Sequence, residues 1–372
     1  MLVNVKFNNT KLEENKKYIV NNNKIKKEKN NKINENKNEI KYSKEDLKDI
    51  SNFTNFLKIN NSNILDIIEN FEFKDSGGES NAYKVDLKKC KKTCLLKLII
   101  KEKREKRNKN EIIIANKLKH KNIIDLIYYS PIQNSESDFI LMEYGQLGNL
   151  KSFLYNVLKK YYYSESTLCY IAYQVLHGLK YMKKYKIVHY DIKPQNIIID
   201  EELNIKLIDF SVSLDYNKIT SDTIKLNFAG TNFYMPPEVI NAELIELKNI
   251  HKIDIYSLGV LLYNFSFGCY PYSLTKEDSK QYDKIYEKIM NNNLEINNDN
   301  NEYSNFFIDF LKKLLEKDIN KRINIEEALE HYWIKGASLL MDEKEKLFNA
   351  KSFLINLIMD HIYSFNNYLQ KK

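Results

Sequence analysis

The stretch IVHYDIKPQNIIID, Ile187–Asp200, sets a cluster of polar residues between two apolar runs of β-like composition. Apolar flanks of this kind bury the backbone and present the intervening loop, so Asp191, Lys193 and Asn196 can converge on one reacting centre. A further apolar run, IKLIDFS, follows and carries Asp209. Two acids and an amide on adjacent loops suit a magnesium ion, which takes oxygen ligands and leaves room for substrate phosphates. Any one Asp here reads equally well as a turn or a cap. The constellation of three residues does not.

Working outward, the residues from Phe71 to about Asp138 hold short β-like runs around one helical stretch: FEFKDSGGESNAYKVDL, TCLLKLIIK, then Lys109 to Lys119, then IIDLIYYS, with FILMEY closing the set. From Asn149 to Trp333 the pattern is mainly helical, with long segments at Thr167–Lys184, Asp254–Phe267 and Tyr303–Glu316. The simplest architecture is α+β, a small strand-rich lobe with one main helix followed by a larger helical lobe.

At this point the chain resembles the eukaryotic protein kinase family, Ser/Thr type, over roughly Phe71 to Lys335. The family's catalytic-loop motif HRDLKxxN is similar to His189 through Asn196, and its DFG motif to Asp209-Phe210-Ser211. The strand lysine falls at Lys97 in CLLKLII and its helix partner at Glu111 in EIIIANKLKHKNII. Downstream, GTNFYMPPE (Gly230 to Glu238) is similar to GTxxYMAPE and DIYSLGVLLY (Asp254 to Tyr263) to DxWSxGV, and Arg322 completes the set. One such motif is weak; the ordered series is specific.

The resemblance implies a two-lobed protein kinase fold with an N-lobe over about 71–144 and a C-lobe over about 145–335. It also implies ATP with Mg2+, or Mn2+, and a protein partner carrying a Ser or Thr acceptor. Asp191 would accept or orient the acceptor's hydroxyl proton, and Asn196 and Asp209 would hold the metal. Lys97 would contact the α and β phosphates, steadied by Glu111. Lys193 would lie near the γ phosphate, and Thr231 would tie the substrate-binding loop to the catalytic loop. Gly77, Gly78 and Ala82 belong to the nucleotide loop, Met142 is the gatekeeper, and Glu143, Tyr144 and Gly145 form the adenine-binding hinge through backbone groups. Arg322 is expected to form a buried bidentate pair with Glu238.

Three departures from the family pattern matter. Asp75 and Ser80 replace glycines of the nucleotide loop, where side chains restrict the approach of backbone N–H groups to phosphate. Ser211 replaces the last residue of DFG. Together these motivate an alternative reading, a catalytically weak scaffold acting through protein–protein contacts. Tyr190 stands where many kinases place the arginine that reads a phosphate on the activation loop, and a tyrosine cannot supply that charge-assisted fork. Activity should therefore depend little on phosphorylation within 213–223, although Thr220, Ser221 and Thr223 are there to be autophosphorylated. Asn149 and Gln195 occupy the sites where kinases directed to basic substrates place acids, which disfavours a strong Arg-directed preference.

Composition agrees with a folded enzyme. Hydrophobic residues make up 43% of the 372, aromatics 12%, too much apolar side chain for a wholly disordered chain. The net charge of +8 is a small difference between 58 basic and 50 acidic residues, which disfavours nucleic acid as a partner. No run of about 18 apolar residues occurs, so no membrane span is expected. Cys90, Cys94, Cys169 and Cys269 have neither disulfide-framework nor zinc spacing and read as reduced, mostly buried thiols. An intracellular protein is expected, cytoplasmic or nuclear. Gly and Pro are scarce, at 9 and 5, yet Gly77, Gly78, Gly230, Gly259, Gly268, Pro194, Pro236, Pro237 and Pro271 fall inside the motifs. Outside them, residues 1–42 read as a disordered Asn/Lys-rich tail, 43–70 as a short helical extension, and 336–372 as a C-terminal helical extension with an apolar stripe at Leu347, Leu354, Leu357, Ile358, Ile362, Phe365 and Leu369.

Overall fold

The computed structural model describes residues 68–76, 80–88, 92–100, 105–130, 137–157, 165–298 and 303–339. The expected tail, nearly all of the 43–70 extension, Gly77, Gly78, Cys90 and the C-terminal stripe lie outside the described residues. The chain divides into two compact units, one ending at Leu98 and the other beginning at Ile99.

In the first unit, β1 (Ile68–Ser76) runs antiparallel to β2 (Ser80–Leu87), with Phe71 opposite Val85 and Asp75 opposite Ala82, and β2 neighbours β3 (Thr93–Ile100), which carries past the unit boundary. The two-residue period of a strand is visible in burial: Tyr83, Val85 and Leu87 are inside while Ala82, Lys84 and Asp86 between them are half-buried, and Cys94 and Leu96 repeat the pattern. Thr93 Oγ1 and Asn70 Nδ2 donate to Asp86 at 2.8 and 3.0 Å, and these bonds hold its carboxyl below the ordinary value.

The second unit begins with α1 (Glu105–Lys117) and the antiparallel pair β4 (Leu126–Ser130) and β5 (Ser137–Glu143), in which Leu126 faces Met142. Helices α2 (Leu150–Val157) and α3 (Glu165–Lys184) follow. Helix α3 buries Leu168, Ile171, Ala172, Val175, Leu179 and Met182, the three- and four-residue spacing that lays one face of a helix on a core. Two short ribbons frame the polar loops: β6 (Ile187–Val188) with β9 (Leu214–Asp215), and β7 (Ile197–Ile199) with β8 (Ile205–Leu207). A third joins β10 (Thr223–Lys225) to β11 (Leu244–Glu246), on either side of the short α4 (Pro237–Ile240).

The remaining helices are α5 (Lys252–Phe267), α6 (Tyr282–Asn291), α7 (Asn305–Leu314), α8 (Ile325–Glu330) and α9 (Tyr332–Leu339). Helix α5 is buried on nearly every side, as its almost uniformly apolar sequence requires. The expected segment Tyr303–Glu316 shortens to α7 because Ser304 caps it, its hydroxyl accepting from Phe307 N–H at 3.2 Å. Asn324 and Glu327 form a capping box at the start of α8. Among the cysteines, Cys94 and Cys169 are buried and Cys269 is exposed; burial pushes the Cys169 thiol up to about 12.

Candidate active site

The loop between β6 and β7 is anchored from below. Asp254, in the first turn of α5, accepts the backbone N–H groups of His189 and Tyr190 on its two oxygens, both at 2.8 Å. Burial raises the Asp254 carboxyl above its ordinary pKa. The two N–H bonds oppose that penalty, since a buried carboxylate is tolerated when its lone pairs are satisfied. Tyr190 and Asp209 take φ of 71° and 66°, a region costly for side chains and held only where surroundings over-determine it. Asp191 N–H donates to His189 Nδ1 at 3.3 Å, and the other ring nitrogen, Nε2, meets the Ile208 carbonyl at 3.0 Å, linking this loop to the one carrying Asp209.

At the head of the loop, Asp191 is buried and collects three partners. Thr231 donates to Oδ1 at 2.7 Å; Lys193 and Asn196 donate to Oδ2 at 2.6 and 2.8 Å. Lys193 also reaches Thr231 Oγ1 at 2.7 Å, and Asn196 Nδ2 reaches the Asp191 carbonyl at 2.9 Å. The four residues expected to act together therefore lie within one hydrogen-bonded cluster. Thr231 is brought in by Gly230, whose φ of 108° favours glycine and where an added Cβ would stand 2.6 Å from the Tyr190 carbonyl.

Asp209 sits on the neighbouring loop, its Oδ1 accepting from Ser211 N–H at 3.3 Å. A residue that sequence reasoning missed supports this turn. Asn110, beside Glu111 on α1, donates from Nδ2 to the carbonyls of Phe210 at 3.2 Å and Ser213 at 2.7 Å. Its only sequence signal was adjacency to Glu111. Glu111, Met142, Asp209 and Phe210 line one cavity of about 10 Å³, with Ile112 and Ile140 among its apolar walls.

The expected hinge is partly committed to the fold. Glu143 N–H donates to the Asp125 carbonyl at 3.1 Å and Gly145 C=O accepts from Gly148 N–H at 2.9 Å, so neither group is available as an unused backbone partner. The Glu143 carboxylate takes Asp125 N–H at 3.0 Å and Lys206 at 3.1 Å. Gly145 lies so close to Ile198 that a Cβ would meet its Cβ at 2.8 Å, while Tyr144 is half-buried. Lys97 and Ala82 are half-buried residues of β3 and β2 in the first unit. Asn149 caps α2 through Ser152 N–H at 2.8 Å. No helix among the described residues is long and apolar enough to cross a membrane.

Comparison with known proteins places this geometry. The pattern of the protein kinase domain matches residues 75–334. The chain is 34% identical over 175 residues to the probable serine/threonine-protein kinase mkcE of Dictyostelium discoideum, covering 47% of this chain and 23% of that protein. It is 32% identical over 176 residues to the Aurora kinase of Schizosaccharomyces pombe, covering 47% and 45%, and 31% identical over 175 residues to that of Encephalitozoon cuniculi, covering 46% and 59%. The chain thus spans less than two thirds of the length of these curated relatives.

Proposed function

The chain belongs to the protein kinase family, with that family's two-lobed α+β fold, and from that premise we propose that it is a serine/threonine kinase transferring the γ-phosphate of ATP to protein hydroxyls. The observation that carries this reading is the carboxylate of Asp191 held by Thr231, Lys193 and Asn196. A carboxylate fixed on both oxygens orients an acceptor hydroxyl and takes its proton as the hydroxyl oxygen bonds to the γ phosphorus. The bond from that phosphorus to the bridging oxygen breaks, and ADP leaves. Lys193 supplies positive charge beside the transferred group, and Thr231 ties the acceptor-binding segment to the base.

The donor set fits magnesium. Asn196 uses its amide nitrogen on Asp191, which reserves its side-chain carbonyl oxygen as a ligand, and Asp209 contributes a carboxylate from the adjoining loop. Held by Asn196 and Asp209, magnesium would supply positive charge against the phosphate oxygens; manganese has similar ligand preferences. Lys97 carries the family's strand-lysine role and Glu111 its helix-acid role, with Gly77, Gly78 and Ala82 in the nucleotide loop. Met142 is the gatekeeper. At the hinge, the Glu143 carbonyl and the Gly145 N–H would meet adenine. The lobe boundary proposed near Tyr144 follows the family pattern, whereas the compact units divide at Leu98. A cytoplasmic or nuclear location accords with this activity.

The test is magnesium-dependent transfer of labelled phosphate to a generic acceptor protein by the wild type, Asp191→Asn and Lys97→Met. Transfer that vanishes in both variants is expected. A wild type as silent as the variants, across several acceptors and metals, would favour the scaffold reading suggested by Asp75, Ser80 and Ser211.

A further inference from the structure

The segment that ends in Thr231 is held along much of its length. β10 pairs with β11 through Thr223 opposite Glu246, Ile224 opposite Ile245 and Lys225 opposite Leu244. The ladder continues at both ends, with Leu247 N–H to the Asp222 carbonyl at 2.8 Å and Leu226 N–H to the Glu243 carbonyl at 2.9 Å. Ile245 and Leu226 enter a buried cluster with Tyr190, Met235, Val239 and Ile253, and Ile224 packs against it. The other face of the ribbon, Thr223, Lys225, Leu244 and Glu246, is exposed.

Tyr190 meets this segment twice. Its side chain is buried in the cluster that takes Leu226 and Ile245, and its carbonyl lies against Gly230, one residue before the Thr231 that donates to Asp191. We infer that Tyr190 is a positioning residue: its buried ring and the β10–β11 ribbon latch Asp222–Thr231 in the arrangement that aligns Thr231 with Asp191, without a phosphate, and a phosphate on Thr223 loosens the latch. The inference rests on the kinase reading of the Asp191 site. Its physical basis is local.

The bonds at Asp222–Leu247 and Leu226–Glu243 fix the alternation of the ladder, so Thr223 and Glu246 are a non-hydrogen-bonded pair, the kind whose side chains approach most closely. Like charges directly opposite in such a pair destabilise it. Transfer of phosphate from a nucleoside triphosphate to Thr223 Oγ1 forms the new P–O bond, releases the diphosphate and sheds the hydroxyl proton to a base. It leaves about −1.5 to −2 charge facing Glu246. Asp222 and Glu243 add to the acids of the ribbon. Against them stand Lys225 and Lys248, the latter already paired with Glu246 at 2.5 Å.

Hydrogen exchange on the full-length chain after phosphatase treatment, read at the amides of Asp222–Gly230, separates this from the catalytic reading. Protection without phosphate is expected. Tyr190→Leu takes the ring out of the buried cluster; exchange at Leu226 and Asn227 should rise about three- to tenfold. The same variant should lower kcat for a protein acceptor while KM for ATP holds. Thr223→Glu should raise exchange across the ribbon and slow transfer, whereas Thr223→Val should change neither. Amides that are unprotected until the chain is phosphorylated, or a Tyr190→Leu profile identical to wild type, would overturn the latch. Protection in a protein that transfers no phosphate would support the latch and remove the kinase reading instead.

Discussion

Arg322 holds Glu238 with both terminal nitrogens, Nη1 to Oε1 at 2.6 Å and Nη2 to Oε2 at 3.0 Å, with both side chains almost wholly out of water. The rest of the guanidinium is also used: Nε donates to the Glu316 carbonyl at 2.8 Å and Nη1 to the Lys252 carbonyl at 3.1 Å, and the fork lies over the Tyr256 ring at 4.8 Å. One planar group thus joins the end of the acceptor-binding segment to the loop before α8. Its retention in a chain that otherwise favours lysine has a geometric reason, since an ammonium cannot serve two carboxylate oxygens and several carbonyls in one plane.

Arg322→Lys should therefore destabilise the helical unit strongly. Breaking a buried, hydrogen-bonded pair leaves Glu238 poorly compensated and costs about 3–5 kcal/mol. A urea melt followed by circular dichroism checks this, and an unchanged midpoint would contradict it.

Asp254→Asn replaces an acceptor oxygen with an amide that faces one of the two N–H groups now bound at 2.8 Å. One buried N–H is left unsatisfied, a cost of about 1–3 kcal/mol. Because those N–H groups belong to His189 and Tyr190, the loss should fall on the loop bearing Asp191: kcat should drop by about tenfold or more while ATP affinity, measured by calorimetry, changes little.

The imidazole of His251 is buried, its Nε2 has no hydrogen-bond partner among the described residues, and burial with Lys183 beside it depresses its pKa to about 4. Between pH 6.5 and 4 the unfolded chain binds this proton and the folded chain does not, so stability is full above pH 6.5 and falls as pH drops. The loss from this group should reach about 2 kcal/mol at pH 5. Denaturation series at pH 7.5 and 5 on wild type and His251→Gln check it; the variant should lose less on acidification.

Asn110→Ala removes the donor to the Phe210 and Ser213 carbonyls, and Asn110→Asp sets a carboxylate against them. Activity should fall about tenfold in the first and further in the second, with the melting temperature little moved, because the bonds are partly solvent-exposed and net worth about 1 kcal/mol each. Equal activity of both variants and wild type would remove Asn110 from the support of the Asp209 turn.

What could be read without coordinates was local or strongly patterned. The polar loop Asp191–Asn196 between apolar strands, the periodic helices α3 and α5 and the ordered motif series were legible because spacing and residue type alone carry those signals. The Arg322–Glu238 pair was legible through the resemblance, reinforced by the scarcity of arginine. The tertiary structure decided what depends on partners distant in sequence. Nothing near Asn110 announces carbonyls about a hundred residues away, nothing near Asp254 announces the N–H groups of His189 and Tyr190, and the three-residue strands β10 and β11 are too short to declare themselves. A hydrogen bond is a short-range, directional contact, so local sequence sets which groups need partners, and only the folded chain decides which partners they meet.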